Sequence, residues 1–340
     1  MNILITNDDG LEAEGLQRLV RALHEVTGAK LYVCAPDGQR SATAHGITMN
    51  KPITVEEAEM DNVEIAWQIS GLPADCVKIA REFLRRKGVS IDIVYSGINH
   101  GGNLGTDTLY SGTVSAALEG SLCGFPSVAV SVDSHQAEQF GYACELAVNA
   151  AKAIQRQLEA GTADHRVVLN INTPNLPKEE IKGLRYTRLG PREYDEIFVP
   201  AHLDSDEELL KREAARAAAK SGEIAAKSGE AGAKSGEIAA NKEDALTAAA
   251  EAYRNREAAR AAGGREAGAA SAEVIEEVRK MGEVTLPGSF RYSGSPIHYH
   301  DLPGDYDVVA NQDGFASITP IHTDLTYYHM IEKIQDWELE

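Results

Sequence analysis

The chain has 340 residues, of which 43% are hydrophobic, and it carries a formal net charge of −19 at pH 7. This length suffices for one large domain with an addition, or for two domains. The negative charge opposes a general affinity for nucleic acid backbones and anionic membranes, which argues against duplex nucleic acid and membrane partners. An anionic ligand would therefore need a local reversal of the field, by a cation or a helix N-terminus.

The cysteines indicate a reducing compartment. They lie in apolar or helical contexts without the spacing of a zinc site, at positions Cys34, Cys76, Cys123 and Cys144. We expect buried free thiols, which fits the cytoplasm. The first strand begins at Asn2 without a basic region or a cleavage site, and no apolar run reaches the ~20 residues that span a bilayer. The sequence thus predicts a cytoplasmic protein.

Strands alternate with helices over the first half of the chain, which predicts an α/β fold with a mostly parallel sheet and helices on both faces. The predicted strands are Asn2–Thr6, Lys30–Ala35, Ile91–Gly97, Ser127–Val132 and Arg166–Ile171, with an antiparallel excursion at Ile47–Ala58 and Val63–Ile69. The predicted helices are Glu14–Val26, Ser111–Cys123 and Gln139–Glu159. A further helix is predicted to begin at Pro73 and to end at Gly88.

An alanine-rich stretch interrupts this pattern between residues 204 and 282. Its heptads KSGEIAA, KSGEAGA and KSGEIAA follow one another from Lys220, and they offer only Ile224 and Ile238 as large apolar groups. We predict inserted helical hairpins at 204–282 within a domain formed by 1–203 and 283–340. A solvated low-complexity linker is the alternative, and the regularity resembles an engineered or grafted segment.

The globular pattern resumes after the insertion and predicts a C-terminal region of strands and a helix. Tyr306–Ala310 is a possible strand, GFASITPIHTDLT contains a second, and His322–Trp337 has the pattern of a helix. The two parts of the interrupted domain are therefore expected to meet again in space.

Four polar segments follow predicted strand ends. They are Asn7–Gly10, Gln39–Ser41, Ser96–Gly105 and Tyr110–Thr113. Because an open α/β sheet binds ligands at the carboxyl edge of its strands, we expect these segments to converge there. Asp8 or Asp9 alone could cap the first helix, but one cap needs only one acid. Residues 111–113 could likewise serve only as a helix cap, or their free amides could hold a phosphate.

The oxygen-bearing side chains of these segments suit a hard cation. Asp8 and Asp9 supply carboxylates, Ser41 a hydroxyl and Asn99 an amide carbonyl. Such ligands fit Mg²⁺ or Mn²⁺ better than Zn²⁺. Two carboxylates balance a divalent charge, and open positions can then take water and a phosphate oxygen. The sequence thus predicts a metal site that makes an acidic protein receptive to an anion.

Several motifs in a fixed order resemble the SurE family, the survival-protein-E nucleotidases. They are NDDG, APDGQRS, SGLPADCVK, SGINHGGNLG, YSGTVSAALEG, GFPSVAVS, NINTP and GFASITPIHTDLT. The resemblance runs through residues 1–192 and 305–326. It implies a Rossmann-like, doubly wound core and a metal-dependent phosphatase acting on nucleoside 5′- and 3′-monophosphates, with short polyphosphate as a further substrate of some members.

The same resemblance implies a set of site residues and an assembly. One divalent ion per subunit would be held by Asp8, Asp9, Ser41 and Asn99, with Asp8 and Asp9 also catalytic. The substrate phosphate would be contacted by Asn103, Ser111, Gly112 and Thr113. The family also implies a homodimer or homotetramer that exchanges a C-terminal hairpin, but segment 204–282 and the stretch FRYSGSPIHYHDLPGDYD depart from the family pattern.

Several chemical roles stay open from the sequence. Asp8 or Asp9 could accept the proton of an attacking water, and His100 could protonate the leaving oxygen or make only a structural hydrogen bond. His45 has the same two interpretations. Two other functions remain as alternatives: a nucleotide-binding protein without hydrolysis, and an oligomerisation scaffold built on the α/β core. Against the first alternative, the sequence lacks the G-x-G-x-x-G that a dinucleotide site needs after strand one.

Overall fold

The computed structural model describes residues 1–25, 29–192, 194, 197–200, 290–293, 302–331 and 334. The chain forms two compact units, one of Met1–Glu193 with Asp301–Glu340 and the other of Tyr194–His300. The predicted insertion at 204–282 lies outside the described residues, so its helical hairpins stay a prediction. The four site segments all belong to the first unit.

The described part of the chain contains eleven strands and six α-helices. The strands are β1 (Asn2–Thr6), β2 (Lys30–Pro36), β3 (Val55–Ala58), β4 (Ile65–Ile69), β5 (Ile93–His100), β6 (Ser127–Asp133), β7 (Val168–Pro174), β8 (Leu184–Tyr186), β9 (Ile197–Pro200), β10 (Phe290–Ser293) and β11 (Ala316–Ile321). The helices are α1 (Glu14–His24), α2 (Pro73–Arg86), α3 (Gly112–Leu122), α4 (Gly141–Ala160), α5 (Asp307–Gln312) and α6 (Tyr328–Ile331).

Nine of these strands form one sheet in the order β3-β4-β2-β1-β5-β6-β7-β11-β8. The six from β4 to β7 in this order are mutually parallel, whereas β3 runs antiparallel to β4 and β11 antiparallel to β7. The predicted mostly parallel sheet and its antiparallel excursion are thus confirmed. In the second unit, β9 and β10 pair antiparallel.

Side chains of β1 alternate between two hydrophobic layers, as its buried apolar sequence requires. Ile3 and Ile5 pack with residues of α1 and α4 on one face. Leu4 packs with residues of α2 and Ala116 of α3 on the other. Helices therefore cover both faces of the sheet. Within the described ranges, every helix is too short or too polar to cross a membrane.

The C-terminal region differs from two sequence predictions. The residues predicted as a strand at 306–310 instead begin helix α5. The Asp307 carboxylate accepts the N–H of Val308 at 2.8 Å and that of the distant Gly190 at 2.9 Å, and these bonds set the start of the helix. The helix predicted at 322–337 is present in the described residues only as α6. Before it, His322 accepts the N–H of Asp324 and Asp324 accepts that of Thr326, and such local bonds compete with helix formation. The strand predicted within GFASITPIHTDLT is confirmed as β11.

The topology places a crevice at the centre of the sheet. Strand β1 lies between β2 and β5. The chain passes from β1 to β2 towards one edge of the sheet, and from β5 to β6 towards the other. Ligands of open α/β sheets bind where the strand order reverses in this way, outside the carboxyl ends. The segments that follow β1, β2 and β5 therefore border one crevice.

Candidate metal centre and phosphate site

A turn closed by Asn7 presents the two adjacent acids after β1. The Asn7 side chain donates to the Gly10 carbonyl at 2.8 Å and accepts the Gly10 N–H at 3.2 Å. Gly10 has a φ of +102°, a conformation that side-chain-bearing residues rarely adopt. Asn7 therefore holds both ends of the turn, and Asp8 and Asp9 lie between them in fixed positions.

The carboxylate of Asp8 is buried against the first turn of α3. Both the N–H and the hydroxyl of Thr113 donate to it. A Cβ on Gly112 would lie 2.7 Å from Asp8 Oδ2, so glycine alone permits this approach. Burial raises the pKa of Asp8 from 3.8 to about 6; the Thr113 hydrogen bond lowers it and the charge of Asp9 raises it.

Asp9 has a buried carboxylate oxygen without a hydrogen-bond partner. This atom, Oδ2, is 3.5 Å from Nδ1 of His100, which is too far for a well-formed hydrogen bond. The His100 ring packs edge-on against Phe140, with 5.2 Å between the ring centres. The structure therefore places His100 beside the acid pair.

The loop that carries Ser41 is tied to the acid pair and to α3. The N–H of Arg40 donates to the backbone carbonyl of Asp8 at 2.6 Å. His45 pairs with Glu119 of α3, Nε2 to Oε2 at 3.0 Å, and Glu119 also accepts from Lys78 of α2. These contacts give His45 a structural partner and anchor the loop on both sides of Ser41, which is exposed.

Asn99 and Asn103 lie at the end of β5 and in the loop after it. Asn99 donates its amide to the Gly101 carbonyl at 2.8 Å, which leaves its side-chain oxygen for a ligand. Asn103 is buried in a network of amides, donating to Ser131 Oγ and to Asn172 Oδ1 at 2.8 Å each. Its side-chain nitrogen is thus used within the protein.

The predicted phosphate residues form the N-terminus of α3. The Ser111 hydroxyl caps this helix by accepting the N–H of Val114 at 3.0 Å. Thr113 is turned towards Asp8, as described above. The structure therefore gives both hydroxyls intramolecular partners, and their contact with a phosphate stays a prediction.

A hard divalent cation fits the side-chain oxygens of Asp8, Asp9, Ser41 and Asn99. No cluster of three His, Cys, Asp or Glu side chains suited to a metal is found in the described part of the chain, so a cation there would also need neutral oxygens. Ser41 and Asn99 provide such oxygens at neighbouring strand ends. A buried carboxylate oxygen without a partner, such as Asp9 Oδ2, is costly unless a cation or water meets it.

Comparison with known proteins assigns the family. Residues 3–196 match the family model described as "Survival protein SurE". This chain belongs to the SurE family. The match covers the strands and loops that build the acid pair, the Ser41 loop and the start of α3, and it ends before the predicted insertion.

Two SurE relatives show the extent of the similarity. A protein named 5′-nucleotidase SurE from Syntrophomonas wolfei is 47% identical over 203 residues, which are 59% of this chain and 74% of that protein. One of the same name from Synechococcus elongatus is 48% identical over 204 residues, covering 58% and 74%. The crystal structure of a SurE protein from Aquifex aeolicus covers 99% of this chain and 100% of its own, with a TM-score of 0.62 and 24% identity. That likeness shows the shared fold.

The supporting roles of three residues were not predicted from the sequence. Asn7 precedes a glycine by three positions, which is a turn signal in itself. Glu119 is the one charged residue in the sequence of α3, and a buried acid in an otherwise uncharged helix indicates a partner. Asp307 accepts the N–H of Gly105 at 2.8 Å and that of Gly190 at 2.9 Å, and no local signal marks this long-range role.

Proposed function

We propose that this chain is a metal-dependent phosphomonoesterase that hydrolyses nucleoside monophosphates to nucleoside and phosphate. The observation that carries the proposal is the acid pair at the end of β1. One carboxylate is bonded to the N-terminus of α3 and the other keeps a buried, unpaired oxygen. The relatives named 5′-nucleotidase favour the 5′-monophosphates; activity on 3′-monophosphates and short polyphosphate is a finer part of the proposal.

The residues proposed to hold one Mg²⁺ or Mn²⁺ per subunit are Asp8, Asp9, Ser41 and Asn99. When bound, such a cation offsets charge on the phosphoryl group and makes a bound water more acidic. The chain itself holds the acid pair rigid, through Asn7 for the turn and Thr113 for the orientation of Asp8.

The first turn of α3 is proposed to bind the phosphoryl group. A helix N-terminus offers unpaired N–H groups and the positive end of the helix dipole. Ser111, Gly112 and Thr113 lie there, and Gly112 lets the Asp8 carboxylate lie directly against this turn. Asn103 would support this loop from its buried network.

His100 is proposed to donate the proton to the leaving oxygen. Its imidazole lies beside Asp9, with Nδ1 3.5 Å from Oδ2, and imidazole is the side chain most often used for proton transfer in catalysis. Asp9 would then be the base nearer to the attacking water, because both donors of Thr113 are directed at Asp8. The loss of His100 should therefore affect poor leaving groups most.

A substrate panel tests the proposal directly. Released phosphate is measured for 5′- and 3′-monophosphates of several nucleosides with Mg²⁺, Mn²⁺ or a chelator. We expect turnover that needs the metal, and the loss of nearly all of it in Asp8→Asn and Asp9→Asn. The exposed Asp305, which pairs with Arg188, supplies the matched control Asp305→Asn with unchanged turnover. Normal hydrolysis of AMP by both acid-pair variants would refute the assignment.

The assembly is proposed to be a homodimer or homotetramer, as the family resemblance implies. Light scattering of the full chain measures its mass in solution. A monomeric mass at assay concentration together with full activity would remove this part of the proposal.

A further inference from the structure

A groove beside the Ser41 loop has both apolar and cationic walls. Its volume is about 630 Å³, within the range of roughly 300–1,000 Å³ typical of small-molecule sites. The apolar lining includes Ile47, Met49 and Leu72, and the cations are Arg40 and Lys51. A lining of this kind suits an organic anion with a flat apolar part.

The two walls of this groove are joined by one buried carboxylate. Asp75, which is 5% exposed, accepts the N–H of Thr48 at 3.1 Å and that of Leu72 at 2.9 Å. A Cβ on Gly46 would lie 2.9 Å from Leu72 Cδ1, so the loop backbone lies directly against the start of α2. The groove is therefore built into the fold by contacts at both of its sides.

The groove adjoins the acid pair through Arg40. This residue lines the groove, and its N–H donates to the Asp8 carbonyl at 2.6 Å. An anion in the groove would be close to the proposed metal site. In a chain of net charge −19, Lys51 provides a local positive charge that attracts the anionic substrate more than the neutral nucleoside product. Arg40 adds less, because its guanidinium is paired with Asp37.

Two large apolar side chains of the groove face solvent. Ile47 is 44% exposed and Met49 is 77% exposed. The two residues are two positions apart in the same loop, so both side chains can contact one flat ligand. Covering such side chains with an aromatic base removes apolar surface from water and contributes to binding.

We infer that this groove binds the nucleoside of the substrate, with its base against Ile47 and Met49. The inference rests on the proposed function and names the surface that selects nucleotides over small phosphate esters. Contact with the base adds binding energy only for substrates that carry one, so the groove acts on specificity rather than on the chemistry.

The test compares two substrates that share the phosphate and differ in the base. The double variant Ile47→Ser/Met49→Ser is assayed with AMP and with ribose 5-phosphate, which has the same sugar and phosphate and no base, in the presence of Mg²⁺. We expect kcat/KM for AMP to fall about tenfold and that for ribose 5-phosphate to stay within about twofold. Inhibition of ribose 5-phosphate hydrolysis by adenosine should weaken by a similar factor.

Leu122 and Leu325 supply a matched control, because they are 58% and 82% exposed and do not line the groove. Leu122→Ser/Leu325→Ser should leave both substrates and the adenosine inhibition unchanged. An unaltered ratio of the two activities in the groove variant would overturn the inference while the proposed function stands. Equal losses on both substrates with a changed mass in light scattering would also overturn it, because the groove would then be a subunit interface.

Failure of the proposed function gives a different result. The wild-type protein would then hydrolyse neither ester with Mg²⁺ or Mn²⁺. Calorimetric titration of AMP into wild type and groove variant still decides the inference in that case. Equal AMP affinity, or no binding to either protein, would refute it.

Discussion

Replacement of Asp8 by asparagine should remove activity and yet stabilise the metal-free protein at alkaline pH. The reason is the burial of this carboxylate, which raises its pKa from 3.8 to about 6. A raised carboxyl pKa means that the folded state binds the proton more tightly than the unfolded chain does. The ionised form therefore costs stability, and the cost appears as the pH rises from about 4 through 6.

The size of the effect follows from the pKa and from the hydrogen bonds. The shift amounts to about 3 kcal/mol of lost unfolding free energy above pH 7, at about 1.4 kcal/mol per pKa unit. Asparagine removes this cost, but it offers one acceptor oxygen where the two donors of Thr113 now meet a carboxylate. That loss is about 1 kcal/mol. We expect Asp8→Asn to gain about 2 kcal/mol at pH 8 and to lose about 1 kcal/mol at pH 4.

Urea unfolding in the presence of a chelator measures both values. The fluorescence of Trp67 reports the first unit, because this side chain is buried in β4 and packs against Phe83. Asp305→Asn is the control and should give the same small difference at both pH values. An Asp8→Asn variant that is destabilised equally at pH 4 and pH 8 would refute the reasoning.

Three further changes test the supports of the site. Gly112→Ala should reduce kcat at least tenfold, because the added Cβ would lie 2.7 Å from Asp8 Oδ2. An assay of phosphate release measures kcat, and a normal value would show that Asp8 need not lie against residue 112. Glu119→Gln should cost about 1 kcal/mol in urea unfolding, since the ion pair with Lys78 is partly open to solvent. It should also raise the Mg²⁺ concentration needed for half-maximal activity, because Glu119 holds His45 of the Ser41 loop. Asp307→Asn should lower the unfolding free energy by about 2 kcal/mol and raise KM more than it lowers kcat, because one backbone donor loses a buried charged acceptor; an unchanged KM would assign it a purely structural role.

The placement of the site at the strand ends was predictable from local patterns. Apolar, β-compatible runs such as Asn2–Thr6 and Ser127–Val132 indicate buried parallel strands, and glycine and proline mark where they end. Once the sheet is parallel, the carboxyl ends of its strands share one edge. The polar residues after β1, β2 and β5 therefore converge without any knowledge of side-chain contacts.

The supports of the site depend on contacts between distant parts of the chain. Asp307 meets Gly105 from 202 positions away, and Glu119 meets His45 from 74 positions away. Neither pairing leaves a periodic or spacing signal in the sequence. The strand predicted at 306–310 was wrong for the same reason: its apolar run favours a strand, but the tertiary bonds of Asp307 set the start of a helix there.

The adjacency of Asp8 and Asp9 has a physical explanation in their different surroundings. In a turn, successive side chains point in different directions, so two neighbours can serve two elements. Asp8 reaches the N-terminus of α3, where Thr113 holds it, while Asp9 faces His100 with an oxygen that no protein donor satisfies. Asp8 thus fixes the turn to the proposed phosphate site and offers the cation only the lone pairs that Thr113 leaves open, whereas Asp9 keeps an unpaired oxygen for the cation or a proton. A single acid could not supply both, because each of its oxygens would already accept a hydrogen bond from α3.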